Sequence, residues 1–220
     1  MYLLGLTGSI GSGKSTVSAM LVEHGAHLLD SDHFAREALE PGTTQWQAVI
    51  DRFGVDVLTE GSEALRPLDR RKLGQIVFAD DQARKDLEGI VHPYVWRMQG
   101  KFLSKMAEER PETVVVMDVP LLFETHGEGR CDMAVVVACG DQQWSRLQSR
   151  HGMSDEIKKR IIAQQMPEED KIKRGDWIIW NTGDIEETQK QVDKLWRMAL
   201  VGAKSGAGEA WPDGWHKYGY

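Results

Sequence analysis

Between residues 8 and 15 the chain reads GSIGSGKS, which fits the spacing G-x-x-x-x-G-K-[ST]. Glycines at this spacing let successive backbone N–H groups curl around a phosphate, and a helix beginning there adds about half a positive charge. A lysine at the seventh position reaches the β- and γ-phosphates, and the serine after it offers a hydroxyl to Mg²⁺. Gly11, Ser12, Gly13, Lys14, Ser15 and Thr16 are therefore expected to bind a nucleoside triphosphate. The competing reading is a Gly-rich turn with a surface lysine. It is disfavoured by the apolar run before the loop and the helical pattern after it.

Two further acidic positions belong to the same chemistry. HLLDSDHFAR ends an apolar run with Asp30 and Asp32. A carboxylate there can take the proton of a hydroxyl that attacks the γ-phosphate, or it can cap the helix that follows. Spacing leaves both roles open, one for each aspartate. VVVMDVPLLFE ends a second apolar run in Asp118. That carboxylate either holds Mg²⁺, directly or through water, or closes a turn.

Elements of a particular kind must position these residues. Short apolar runs, most of them β-branched, predict strands at 2–6, 26–29, 113–117, 133–138 and 177–180, with helical patterns between them. The first helix is expected to start at Lys14, to bury Val17, Met20 and Leu21, and to stop at Gly25. Alternation of strand and helix implies an α/β fold, a parallel sheet covered on both faces. The stretch 32–111 is too long for one crossover and reads as an inserted helical region. A second polar stretch, 140–174, follows the fourth strand. The Gly-rich, aromatic tail beyond residue 200 reads as flexible or loosely docked, without a function.

Composition narrows the classes. The 220 residues suit one well-cored domain with an insertion. A net charge of −7 argues against a nucleic-acid binder, which normally shows a basic face. Cys131 and Cys139 have no metal or disulfide spacing and are read as reduced, which points to the cytoplasm. No secretory signal is expected, and no apolar stretch approaches the roughly 20 residues of a membrane helix.

Taken in order, GLTGSIGSGKSTV, LLDSDHFAREALEPGT, FGVDVL, LDRRKLGQIVFADDQARKDLEGIVHP, DVPLLFE, QQWSRLQSRHGMS and DWIIWNTGD resemble the dephospho-CoA kinases. These P-loop kinases phosphorylate the ribose 3′-hydroxyl of dephospho-CoA in the last step of coenzyme A synthesis. The resemblance spans about residues 3–195. Departures are Ser9 where glycine is usual, Ser31 between the aspartates where alanine is usual, and Gly175 where alanine is usual. It implies a five-stranded parallel P-loop core (1–31, 112–139 and 175–200), a helical dephospho-CoA domain (32–111) and a lid (140–174), with 201–220 outside it. ATP is then the co-substrate, with Mg²⁺ at Ser15 and Asp118, and no obligate protein partner is evident.

The resemblance further implies Asp32 as the base, with Lys14 stabilising the transferring charge. Arg36, Arg70 and His92 match positions near the substrate. For the two arginines a solvated helix face is the alternative, and for His92 before Pro93 the preferred reading is a helix end. Arg146 and Arg150 fall in the implied lid, where arginines meet the transferring phosphoryl or are ordinary surface. Asn181 lies near the adenine or is a polar turn residue. A kinase for another small hydroxyl substrate, such as a nucleoside, nucleotide or sugar acid, is the nearest alternative. A nucleotide switch is disfavoured, because the guanine-reading N-K-x-D element is missing and Asn181 is followed by Thr182.

Overall fold

The run Tyr2–Thr7 forms β1, and all of it is buried. It enters the phosphate loop, and α1 (Lys14–Glu23) begins at the lysine, with Val17, Met20 and Leu21 buried. Gly25, at φ +107°, ends that helix in a conformation L side chains rarely adopt. The chain continues through β2 (His27–Leu29), α2 (Ser31–Ala38), α3 (Thr44–Phe53), α4 (Arg70–Ala79), α5 (Asp81–Glu109) and β3 (Val114–Asp118). Then come β4 (Met133–Ala138), α6 (Gln143–Gln148), α7 (Asp155–Gln164), α8 (Glu168–Arg174), β5 (Trp177–Trp180) and α9 (Ile185–Ser205). The computed structural model describes residues 1–62, 64–149 and 154–218.

Two compact units make up the described chain. The first is Met1–Leu29 with Leu103–Tyr218, and the second is Asp30–Phe102. In the first, a five-stranded sheet runs in the order β2-β3-β1-β4-β5, with every pairing parallel. The β1–β3 register sets Leu6 beside Asp118, so the phosphate loop and this carboxylate leave neighbouring strands together. One face of the sheet packs on α1 and α9. Val192, Leu195, Ala199 and Ala203 of α9 repeat at helical spacing and are fully or nearly fully buried there. Asp184 caps α9 by accepting the Glu187 N–H at 2.8 Å.

The second unit is helical and holds its own small core of Trp46, Val49, Val57, Leu58, Leu68 and Leu73. It starts at Asp30 and ends at Phe102, inside the expected 32–111 at its far end. The expected helix end at His92 is not there. Pro93 lies inside α5, a 29-residue helix. Proline removes one hydrogen bond of the ladder, and burial of Ala83, Val91, Val95, Leu103 and Met106 along the helix outweighs that loss.

Of the two readings of the tail, flexible or loosely docked, the structure shows a docked one. The helix α9 continues to Ser205, and Trp215 is completely buried. Trp215 Nε1 donates to the Arg130 carbonyl at 3.1 Å, and its ring packs edge-on to Trp211. Asp132 Oδ1 accepts the N–H groups of Glu209 and Ala210, each at 2.7 Å, while its Oδ2 accepts that of Leu3 at 2.7 Å. Despite the glycine content, two tryptophans supply enough apolar surface to order the segment.

Candidate active site

The phosphate loop is shaped by its glycines. Gly11 and Gly13 sit at φ +86° and +88°, and a side chain on Gly13 would collide with the Asn181 amide. Ile10 and Ser12 have their N–H groups engaged, by Gln165 and by the Ser9 carbonyl. Among the described residues the N–H groups of Gly11, Gly13, Lys14 and Ser15 find no acceptor. Four unpaired donors at the head of α1 form an anion cradle. The Ser12 hydroxyl, buried inside the loop, is also without a partner. A pocket of about 560 Å³ opens over this loop, lined further by Pro120, Arg146, Leu147, Ile161 and Gln165.

Lys14 reaches across to Asp118 and forms an ion pair with it at the end of β3. Both side chains keep some solvent exposure, 15% and 23%, so the pair can open to admit a ligand. Ser15, one residue on, is exposed. A hydroxyl and one carboxylate are hard oxygen donors of the kind Mg²⁺ takes, with the rest of its shell from phosphates and water. No cluster of three or more His, Cys, Asp or Glu suited to a metal occurs among the described residues, so a metal here would depend on such a shared shell.

Arg146 and Asn181 stand behind the loop. The Arg146 guanidinium donates to the Asn181 carbonyl and to Gln142 Oε1, both at 2.7 Å, and to the Ser12 carbonyl at 3.4 Å. Asn181 Nδ2 donates to the same Ser12 carbonyl at 2.8 Å, and its Oδ1 accepts the Thr188 hydroxyl at 3.0 Å. Both ends of that amide are committed, so Asn181 acts as a buttress of the loop. Arg150 lies outside the described residues.

In the second unit the two aspartates divide their roles. Asp30 is the N-cap of α2, its Oδ1 accepting the His33 N–H at 2.9 Å. Asp32 falls in the first turn of α2, and its side chain is exposed. Arg36 lies one turn further on and is exposed, as is Arg70, the first residue of α4. His92 is exposed on α5, its ring 5.6 Å from that of Trp96.

Comparison with known proteins agrees with this architecture. The family model for dephospho-CoA kinase matches residues 2–187. The chain is 43% identical over 208 residues to the dephospho-CoA kinase of Symbiobacterium thermophilum, covering 92% of this chain and 83% of that one. To the dephospho-CoA kinase of Syntrophus aciditrophicus it is 40% identical over 201 residues, covering 91% and 84%. The chain belongs to the dephospho-CoA kinase family. Its class follows: a P-loop kinase, a phosphotransferase of coenzyme A biosynthesis. The fold resembles that of a Thermus thermophilus protein, with TM-score 0.74 and 35% identity over 90% of this chain and 97% of the other. It also resembles the dephospho-CoA kinase from Campylobacter jejuni, with TM-score 0.65 and 25% identity over 91% and 98%. Most of α9 and the docked tail lie beyond the family match.

Several residues of this dephospho-CoA kinase family member escaped the sequence reading. Gln143 and Gln165 hold the Ile10 peptide. The Glu168 carboxylate accepts the N–H groups of Cys139 and Gly140, at 2.9 and 2.8 Å, where β4 ends. Lys171, fully buried, donates to Glu124 and to the Pro120 carbonyl at 2.8 and 3.1 Å. Burial works to raise the Glu124 carboxyl, but the Lys171 ammonium and the Met166 N–H outweigh it and hold it below its ordinary range. Burial pushes the thiols of Cys131 and Cys139 up to about 12 and about 11, so neither is a nucleophile near neutral pH. The only sequence signal for these contacts was a polar, helical stretch in which no side chain stood out.

Proposed function

We propose that this protein transfers the γ-phosphoryl group of ATP to the ribose 3′-hydroxyl of dephospho-CoA, giving coenzyme A and ADP. The observation that carries the reading is the cradle of four unpaired N–H groups with Lys14 and Asp118 at its mouth, in a chain of the dephospho-CoA kinase family. The triphosphate lies on the N–H groups of Gly11, Gly13, Lys14 and Ser15, with Ser12 and Thr16 completing the loop. Lys14 leaves Asp118 for the β- and γ-phosphates, where it stabilises the charge that spreads over the transferring group. Ser15 and the released Asp118 would hold Mg²⁺, which when bound neutralises phosphate charge.

Asp32 accepts the proton of the 3′-hydroxyl as its oxygen bonds to the γ-phosphorus. The bond from that phosphorus to the β–γ bridging oxygen breaks, and the electron pair leaves with ADP. The exposure of Asp32 suits a base that meets its substrate from solvent, while Asp30 holds the helix. Arg36, Arg70 and His92 bind the acceptor, and Arg146 keeps the loop and the phosphates in register. Residues 140–174 act as the lid, excluding water from the transfer. Two unpaired thiols suit a reducing compartment, which supports a cytoplasmic enzyme.

ADP release, measured with dephospho-CoA beside adenosine, a nucleoside monophosphate, gluconate and shikimate, tests this reading. Release with dephospho-CoA alone is expected. Equal release with all five, or none with dephospho-CoA, overturns it.

A further inference from the structure

The Ile10 peptide is gripped from both sides. Its N–H donates to Gln165 Oε1 at 2.8 Å, and its carbonyl accepts from Gln143 Nε2 at 3.0 Å. The peptide itself fixes which way each amide points, because a backbone N–H only donates and a carbonyl only accepts. Gln143 is the first residue of α6, and Gln165 directly follows α7. Both ends of the α6–α7 segment thus return to one peptide group of the phosphate loop. Arg146 lies one helical turn past Gln143, with its guanidinium against the Ser12 and Asn181 carbonyls. Ile10 has no donor left for a ligand, so its role in the loop is mechanical.

We propose that Gln143 and Gln165 are positioning residues for phosphoryl transfer. Each holds one side of the Ile10 peptide, and together they fix the curvature of the phosphate loop and the register of Arg146 with the bound phosphates. The proposal rests on the reading of this loop as the ATP site. A misplacement of about 1 Å can cost about a hundredfold in an oriented reaction, so two amides that fix one peptide control the rate through its position.

The two glutamines have opposite polarity, and this makes the proposal testable. Glutamate at 165 still offers an acceptor to the Ile10 N–H. Glutamate at 143 sets an acceptor against the Ile10 carbonyl. The same change is therefore tolerated at one site and harmful at the other, although the added charge is equal. Gln165→Met, Gln143→Met and Gln143→Glu should each lower kcat about tenfold, the worth of one well-placed hydrogen bond. Gln165→Glu should lower it by about threefold or less, and the KM for dephospho-CoA should stay within about twofold throughout.

Amide exchange of Ile10, followed by NMR in the ligand-free full-length protein, supplies a readout independent of turnover. Protection should persist in the wild type and in Gln165→Glu and drop about tenfold or more in Gln165→Met. Equal loss from glutamate at both positions, or unchanged Ile10 exchange in Gln165→Met, overturns the proposal. If a methionine variant fails to fold, the glutamate pair alone decides. If the wild type does not use dephospho-CoA, the acceptor assignment fails, while Ile10 exchange and ADP titration of the glutamate pair still judge the clamp.

Discussion

The phosphate loop and the first turn of α2 each follow a strand of the sheet, and they hold their chemistry in opposite ways. Around the loop almost every polar side chain is committed: Lys14 to Asp118, Arg146 and Asn181 to Ser12, Gln143 and Gln165 to Ile10. What remains open is a set of backbone N–H groups and the Ser12 hydroxyl. In the first turn of α2 Asp30 is committed to its cap and the Ser31 hydroxyl accepts from Gln99, while Asp32 stands in solvent, as does Arg36 one turn on. Charge that spreads in a transition state is best met by dipoles fixed beforehand, since fixed dipoles need no reorganisation during reaction. A base for an incoming hydroxyl has no such need. On the proposed function, the nucleotide side is a mould and the acceptor side an exposed surface.

Lys14→Ala strikes the mould hardest. Removing one preorganised charge from a developing phosphoryl transition state costs roughly 3 kcal/mol or more, so kcat should fall by about a hundredfold or beyond. The fold should survive, because Lys14 and Asp118 both reach solvent. Wild-type kcat at saturating ATP would break the contrast between the two regions.

Arg146→Ala removes a supporting contact rather than a central charge, and about a tenfold loss of kcat is expected. The KM for dephospho-CoA should hardly move. A rise confined to that KM would place Arg146 on the acceptor side and blur the comparison.

The smallest effect on turnover is expected at Glu124, whose role is to keep the buried Lys171 paired. Glu124→Gln should destabilise the fold by about 3 kcal/mol at pH 7, since it strips the charge partner of a buried ammonium. The Glu124 carboxyl is held below its ordinary range in the folded protein, so its contribution is complete above the unfolded value. It fades as pH falls from about 4.5, the value of an unperturbed glutamate, through the lower folded one. Denaturant unfolding of both proteins across that range should show their stabilities converging in acid. A constant gap would mean that charge is not what Glu124 contributes.

Legibility in the sequence followed locality. The strands, the loop and the start of α1 are written in short windows of apolar period and glycine spacing, and the structure has them within about two residues. The division between Asp30 and Asp32 was half legible: spacing allowed a cap and a base, and geometry assigned the cap to Asp30. Contacts that join distant segments were not legible. Ile10 meets Gln165 across 155 positions, and Trp215 meets Arg130 across 85. No local pattern announces such pairings, and the composition of the tail left flexible and docked readings open. Pro93 misled for a related reason, because tertiary burial along α5 overrode a local helix breaker.

The base assignment carries the contrast between mould and surface, and one paired measurement tests it: kcat and both KM values of Asp32→Asn and Asp30→Asn across a Mg²⁺ series. Asparagine at 32 keeps the shape but cannot take up a proton. Its kcat should fall by about 10²–10⁴, nearer the lower end because a loose transition state asks less of a base, with both KM values nearly unchanged. Asparagine at 30 still caps α2, so that variant should lose far less. A dead Asp30→Asn beside an active Asp32→Asn would contradict the account.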